Sequence, residues 1–214
     1  LPLLFLIVLV ACLQIPVAMA PVSPPPAPPP ATLLWWDPID VRDIALSKDG
    51  GYVAVASANG VKFYDRTSVT PKTSMWTYSA GGTFHSVAIS GDGSCVAAGN
   101  GSLVCFWRDA WSSTGTPTWS SAPLGPIEYR CLAISDDGDY VVAGGTGPGV
   151  FYYAGAKAKS GSNIIYTWDY GFDIGVNVEA VDISSDGDYV VAGTVYDADV
   201  SRARVAYWKN ARTL

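Results

Sequence analysis

Charge is scarce in this chain. Only 15% of its residues are Asp, Glu, Lys or Arg, where about a quarter is usual in a soluble domain. The formal net charge is −6 and the sequence pI is about 4.6. Binding to a phosphate backbone needs a basic surface, so nucleic acid is not an expected partner. Histidine occurs once, at His85, and the four cysteines, Cys12, Cys95, Cys105 and Cys131, contain no C-x-x-C spacing. A Cys/His zinc site is therefore not expected. No G-x-S-x-G is present, and no G-x-G-x-x-G follows a strand, so neither a nucleophile elbow nor a dinucleotide loop is expected. No paired catalytic constellation stands out, no cofactor is expected, and the chain reads as a non-enzyme. What is plentiful is Gly (22), Pro (15), and Trp with Tyr (8 and 12). Aromatics and turn formers in place of helix-favouring Glu, Lys and Leu point to an all-β domain.

Residues 1–20, LPLLFLIVLVACLQIPVAMA, carry no charge. As a helix they would be about 30 Å long, the thickness of a bilayer core. Pro2 suits a first helical turn, whereas Pro16 should kink or end the helix. Ala18-Met19-Ala20 has the A-x-A form of a signal-peptide cleavage site, and a single membrane anchor is another reading. The run begins at Leu1 with no basic stretch ahead of it, as expected if a leader was trimmed in front of the apolar segment. That placement resembles type IV pilins, the archaeal kind above all. The resemblance covers residues 1–20 and implies that the helix packs against its own copies in a filament core. Leu3, Leu4, Leu6, Ile7, Leu9, Val10, Leu13 and Val17 would carry those contacts. Residues 21–32, PVSPPPAPPPAT, hold seven prolines. Such a run adopts polyproline II, spans about 3.1 Å per residue, and suits a semi-rigid spacer.

From Leu33 onward one phrase recurs. LSKDGGYVAVAS, ISGDGSCVAAG, ISDDGDYVVAG and ISSDGDYVVAG place serines at Ser47, Ser90, Ser135 and Ser184, spaced 43, 45 and 49 residues apart. Each unit opens with an apolar strand, turns at Asp-Gly (suited to a tight hairpin), and continues in a second strand. A third strand carries an aromatic pair, Phe63-Tyr64, Phe106-Trp107, Phe151-Tyr152 or Tyr207-Trp208, and a fourth carries Trp76, Trp119 or Trp168. Four short strands at a period of about 40–45 residues make one propeller blade. These units resemble WD-repeat and quinoprotein-type β-propellers over residues 33–214. The Gly-His and Trp-Asp dipeptides of strict WD repeats are replaced here; the nearest equivalents are Tyr64-Asp65 and Trp107-Arg108.

The fourth unit shows no Trp strand after VAYWKNARTL, while TLLWWDP precedes the first unit. Leu33, Leu34, Trp35 and Trp36 are therefore expected to close a four-bladed ring as the outer strand of the last blade. Donation of the same strand to a neighbouring molecule is the alternative.

The remaining candidates are sparse. The Asp-Gly turns lack the Glu of a calcium loop and read as hairpins. Asp197 and Asp199 are weak calcium candidates. Asn100-Gly101-Ser102 is an N-x-S sequon at an expected exposed turn, open to a glycan. Cys95, Cys105 and Cys131 allow one disulfide and one buried thiol, pairing unassigned. His85 reads as a strand residue. Taken together, the expectation is a structural subunit of an extracellular, pilus-like homo-oligomeric filament. Its propeller would sit on the outside, with a surface or glycan as possible adhesion ligand. A membrane-anchored or secreted binding module is the alternative.

Overall fold

The phrase repeats because it builds the same hairpin four times. Ser47, Ser90, Ser135 and Ser184 each donate their hydroxyl to the Asp two residues on, at 2.6–2.8 Å. Each serine oxygen also accepts a backbone N–H from five residues on, at 2.9–3.1 Å. The glycine after each Asp sits at φ between 68° and 76°, a left-handed conformation that glycine adopts without strain. The turn then launches a strand whose residues alternate between two faces.

In the computed structural model, the described residues are 31–67, 72–80, 82–122, 127–147, 149–172, 175–196 and 203–214. Leu33–Leu214 form one unit, separate from Leu1–Thr32. The expected apolar helix, with its assembly residues from Leu3 to Val17, and Asp197 and Asp199 lie outside the described residues.

The chain is all-β, with four sheets. Sheet 1 contains β1 (Val41–Leu46), β2 (Tyr52–Ser57), β3 (Gly60–Asp65) and β4 (Trp76–Tyr78) in that order. Sheet 2 runs β5 (Phe84–Ile89), β6 (Cys95–Asn100), β7 (Val104–Arg108) and β8 (Trp119–Ser121). Sheet 3 uses β9 (Tyr129–Ile134), β10 (Tyr140–Gly145), β11 (Gly149–Ala154) and β13 (Trp168–Gly171). Between the last two, β12 (Gly161–Ile164) leaves its own sheet and pairs in parallel with β8 of sheet 2. Sheet 4 contains β14 (Val176–Ile183), β15 (Tyr189–Tyr196) and β16 (Val205–Lys209). The expectation of four antiparallel strands per unit thus holds for sheets 1 and 3. Sheet 2 gains a parallel strand, and sheet 4 has three among the described residues.

Three apolar clusters join the sheets in a row. Val61, Phe63 and Trp76 of sheet 1 pack with Val96 and Trp107 of sheet 2. Ala97, Phe106 and Trp119 of sheet 2 pack with Val141, Phe151 and Tyr153 of sheet 3. Val142, Val150 and Tyr152 of sheet 3 pack with Val178, Val190 and Ala192 of sheet 4. Neighbouring residues on one strand therefore serve different junctions, as Val96 and Ala97 do. Burying each of these large side chains stabilises the fold by roughly 1.5–3 kcal/mol.

The third aromatic pair needs a correction. Phe63, Phe106 and Tyr207 pair with Ala54, Ala97 and Val191, and the residue in that register in sheet 3 is Tyr152, opposite Val142. The equivalent pair is Tyr152-Tyr153, one residue later than expected. Measured between paired residues, the connection between β10 and β11 is one residue longer than those of sheets 1 and 2, which shifts the spacing counted from Ser135.

A latch repeats at every junction. Trp76 donates its indole N–H to the Ala110 carbonyl (2.7 Å), Trp119 to Ala156 (2.8 Å) and Trp168 to Ala211 (2.7 Å). The first two acceptors open short 3-10 turns on the following sheet, and so does the third. A left-handed residue, Asp109, Gly155 or Asn210, stands before each. Trp119→Phe keeps an aromatic ring but removes the indole bond, leaving the Ala156 carbonyl only its 3.3 Å bond from the Lys159 N–H, at a cost of about 0.5–1.5 kcal/mol. Urea unfolding should show that loss at Trp119, with a smaller one for Trp168→Phe, whose indole is less buried.

Candidate functional site

The surface that distinguishes this molecule lies at the two ends of the row of sheets. Ile44 and Leu46 on β1 are 61% and 62% exposed. Their counterparts three and one residues before the phrase serine are Val87 and Ile89, and both pack into the junction between sheets 1 and 2. At the other end, Val205 and Tyr207 on β16 are 77% and 67% exposed. Val61 and Phe63, in the same register of sheet 1, are wholly buried. So the outer face of sheet 1 and the far face of sheet 4 each repeat a face that other sheets keep dry.

Each end face carries a shallow groove. The one on sheet 1 is lined by Leu34, Trp35, Leu46, Val53 and Arg66. One on sheet 4 is lined by Asp182, Ile183, Tyr189, Val191 and Tyr207. Asp182 stands opposite Val191, in the register where sheets 1, 2 and 3 have Ala45, Ala88 and Ala133. A carboxylate there is compatible with water or with a cation, and not with a dry apolar junction left unpaired.

The segment Leu33–Asp37 is docked on sheet 1. Trp35 stacks on Tyr64 at 5.2 Å between ring centroids. Asp37 accepts hydrogen bonds from the Tyr64 hydroxyl (2.6 Å) and the Lys62 ammonium (3.0 Å). The Trp36 carbonyl accepts the Lys72 backbone N–H at 3.2 Å, and the Lys72 ammonium lies 5.7 Å from the Trp35 ring centroid. The Tyr64 bond holds the Asp37 carboxyl below its ordinary value, helped by Lys62 and opposed by burial. Burial, then the hydrogen bond to Asp37 and its charge, pushes the Tyr64 hydroxyl well up.

Leu33, Leu34, Trp35 and Trp36 do not form the expected outer strand of sheet 4. They form no strand, and β16 has β15 as its neighbour among the described residues. The reason is geometric, because the segment rides on sheet 1 and the row does not bring sheet 1 to sheet 4. Trp35 nevertheless occupies a familiar place. Its contact with Tyr64 matches Trp76 on Trp107 (5.3 Å), Trp119 on Tyr153 (5.4 Å) and Trp168 on Trp208 (6.0 Å).

The remaining candidates resolve into structural roles. The Asp49, Asp92, Asp137 and Asp186 carboxylates each accept the phrase serine hydroxyl and a backbone N–H at 2.8–3.0 Å, which is the hairpin reading. Asn100 is 4% exposed, and its Oδ1 accepts the Ser102 and Leu103 N–H groups. The expectation of an exposed sequon is corrected: an amide that closes its own turn is buried where a glycan would attach. Cys95, Cys105 and Cys131 are free and buried. Cys95 belongs to the junction of sheets 2 and 3, Cys105 to that of sheets 1 and 2, and Cys131 to that of sheets 3 and 4. Three separate clusters leave the expected disulfide without a pair. Burial pushes the Cys105 and Cys131 thiols up to about 12. His85 lies in β5, as a strand residue. Among the described residues, no group of three or more His, Cys, Asp and Glu could hold a metal ion. Among them, too, no helix is long and apolar enough to cross a membrane.

Neither a scan of protein-family models nor a search of curated proteins finds a match. Among solved structures, the chain is similar to Kuenenia stuttgartiensis hydrazine synthase, with a TM-score of 0.58 and 19% identity. The likeness covers 80% of this chain and 46% of that one, so the chain spans about half the length of the structure it matches. At that identity the likeness supports a propeller-like fold and nothing of the enzyme's chemistry.

The Asp37 bonds make the docking of Trp35 dependent on acid. A carboxyl that ordinarily titrates near 3.8 and is lowered on folding stabilises in full above that value and loses its contribution as pH falls through the folded one. The Trp35 indole signal in NMR should therefore hold steady at neutral pH and shift toward that of a freed side chain only below about pH 4. In Asp37→Asn the indole should be looser at neutral pH and the acid-dependent change should vanish.

Proposed function

We propose that this chain is a structural subunit of an extracellular, pilus-like filament. Residues 1–20 form the filament core by packing against identical copies, residues 21–32 act as a spacer, and residues 33–214 form a four-bladed, propeller-like head on the outside. One observation carries the reading: an uncharged 20-residue run is joined by a proline-rich segment to a β-unit that is separate from it. Water rejects the long side chains of that run, and lateral contact among copies is one way to remove them from it. The head supports a display role, because its repeated Ser and Asp side chains hold turns and its repeated aromatics fill junctions.

A second reading is a membrane-anchored or secreted binding and adhesion module. The two uncovered apolar end faces favour it, since exposed patches of that kind mark docking surfaces. In that case residues 1–20 would lie in lipid and the head would meet its ligand alone.

Electron microscopy of the full chain separates the two. The filament reading expects helical fibres with residues 1–20 at the axis, and expects Ile7→Asp with Leu9→Asp to abolish them while the far-ultraviolet circular dichroism of the head is kept. Discrete particles confined to detergent micelles, with the wild-type sequence, would overturn it.

A further inference from the structure

The junction between sheets 2 and 3 differs from its neighbours at three matched positions. Tyr78 and Tyr170 each stand two residues after the Trp of their sheet, opposite Val61 and Val150. Each sets its ring edge-on to an indole, Tyr78 to Trp107 (5.5 Å) and Tyr170 to Trp208 (5.3 Å). The residue two after Trp119 is Ser121, which is 1% exposed. Where the first junction has Phe84 and Trp107, this one has Tyr129 and Tyr153. Tyr129 precedes its phrase serine by the same interval as Phe84, and Tyr153 meets Trp119 as Trp107 meets Trp76. A ring has given way to a hydroxymethyl group, and two phenols replace a phenyl and an indole.

The exchange leaves three hydroxyls short of partners. Tyr129 and Tyr153 are wholly buried in this junction. Neither phenol oxygen has a hydrogen-bond partner among the described residues. Burial pushes both hydroxyls up, so both keep their protons. The side-chain hydroxyls that act on each are the other's and that of Ser121, so the three converge while the phenols stay unbonded. Ser121 Oγ accepts the Val104 N–H at 3.0 Å and still has its own proton to give. Buried polar groups of folded proteins nearly always meet a partner, in the protein or in an ordered water.

We propose that a water molecule is bound inside the junction of sheets 2 and 3, held by Tyr129, Tyr153 and Ser121. It accepts protons from two of the hydroxyls and donates to the third oxygen; about three hydrogen bonds are usual for an internal water. Water suits the site better than other small occupants. An apolar guest would leave the hydroxyls unmet. An ion would lack a counter-charge, because the groups acting on the two phenols are tyrosines and a serine, and burying an unpaired charge is costly. Ile127, Ile164 and Tyr166 pack against the same cluster and help to wall the site from solvent. The middle junction thus holds a solvent molecule where its two neighbours are filled by rings. The site lies within the head, and it stands or falls separately from the filament and adhesion readings.

The test uses the full-length chain. An experimental structure fine enough to show ordered water should reveal a density peak about 2.5–3.0 Å from at least two of the three hydroxyl oxygens. Phenol oxygens bonded directly to each other or to Ser121, with no such peak, would overturn the proposal. Tyr129→Phe and Tyr153→Phe each keep the ring and remove one hydroxyl. If each hydroxyl is bonded to water, each variant should lower the folding equilibrium constant roughly two- to tenfold in urea unfolding. A hydroxyl buried without a partner would give the opposite sign, since its removal relieves a desolvated polar group. A constant that stays level or rises in either variant would therefore overturn the proposal. The double variant should lose the density peak, and its constant should fall by less than the product of the two single losses, because both hydroxyls share one partner. Losses that simply multiply would place the two hydroxyls on separate partners and would overturn it as well.

Discussion

The indole-to-carbonyl bond between consecutive sheets is the constraint on which the rest of the structure depends. A tryptophan at the outer edge of one sheet reaches the first alanine of a 3-10 turn on the next, at 2.7–2.8 Å in all three junctions. The acceptor is alanine each time, wholly buried at Ala110, Ala156 and Ala211, because a larger side chain would hold the indole off. The same ring stacks on an aromatic of its own sheet, as Trp119 does on Phe106 (5.1 Å) and Trp168 on Tyr152 (4.9 Å). One residue thus sets both the spacing between sheets and the position of the strand that carries it. A buried indole without its acceptor would lose that hydrogen bond and keep the desolvation cost, so the sheets have one favourable way to lie together.

Sheet pairing inside each unit is local, and that is the part a reader of residues can see. The Ser-x-Asp-Gly turn announces itself, since its serine, carboxylate and glycine all have distinct jobs within six residues. The alternation after it, in YVVAG or CVAAG, is legible as a strand buried on both faces. The Trp strands are legible too, by recurrence. Long-range choices are not. Nothing in GSNI says that β12 will abandon its own sheet for a parallel place beside Trp119. A single extra residue before β11 moved the aromatic pair from Phe151-Tyr152 to Tyr152-Tyr153, and only the cross-strand register of Val142 with Tyr152 exposes the slip. Counting from a landmark fails wherever a hairpin changes length, because side-chain direction reverses with every residue.

The same limit governs the end segment. TLLWWDP could be read as a Trp strand from its residues, and Trp35 does meet Tyr64 as a Trp strand meets the next sheet. Which edge it completes is a question about distance between sheets, which residue types do not encode. The buried Asn100 teaches a related lesson. Asn-Gly-Ser satisfies both a glycosylation pattern and an Asx turn, and its amide oxygen takes two backbone N–H groups. The structure shows the turn chemistry and buries the side chain.

An open row of twisted sheets faces a problem that a closed ring does not have. Each internal sheet loses water from both faces, while an end sheet hydrates one face whose residues were selected by the same repeat. Sheet 1 partly answers this with Trp35, laid over Tyr64 and pinned by Asp37. Sheet 4 answers with charge, placing Asp182 where its siblings have alanine. Those two devices differ in what they permit. A docked aromatic segment covers part of a face and leaves it apolar. A lone carboxylate discourages indiscriminate apolar association and admits a surface that brings a cation to it. Arg66 lies in the groove at the opposite end, so the two end faces differ in charge as well as in cover. That difference follows from the repeat being interrupted differently at each end, and a row of identical units would not have it.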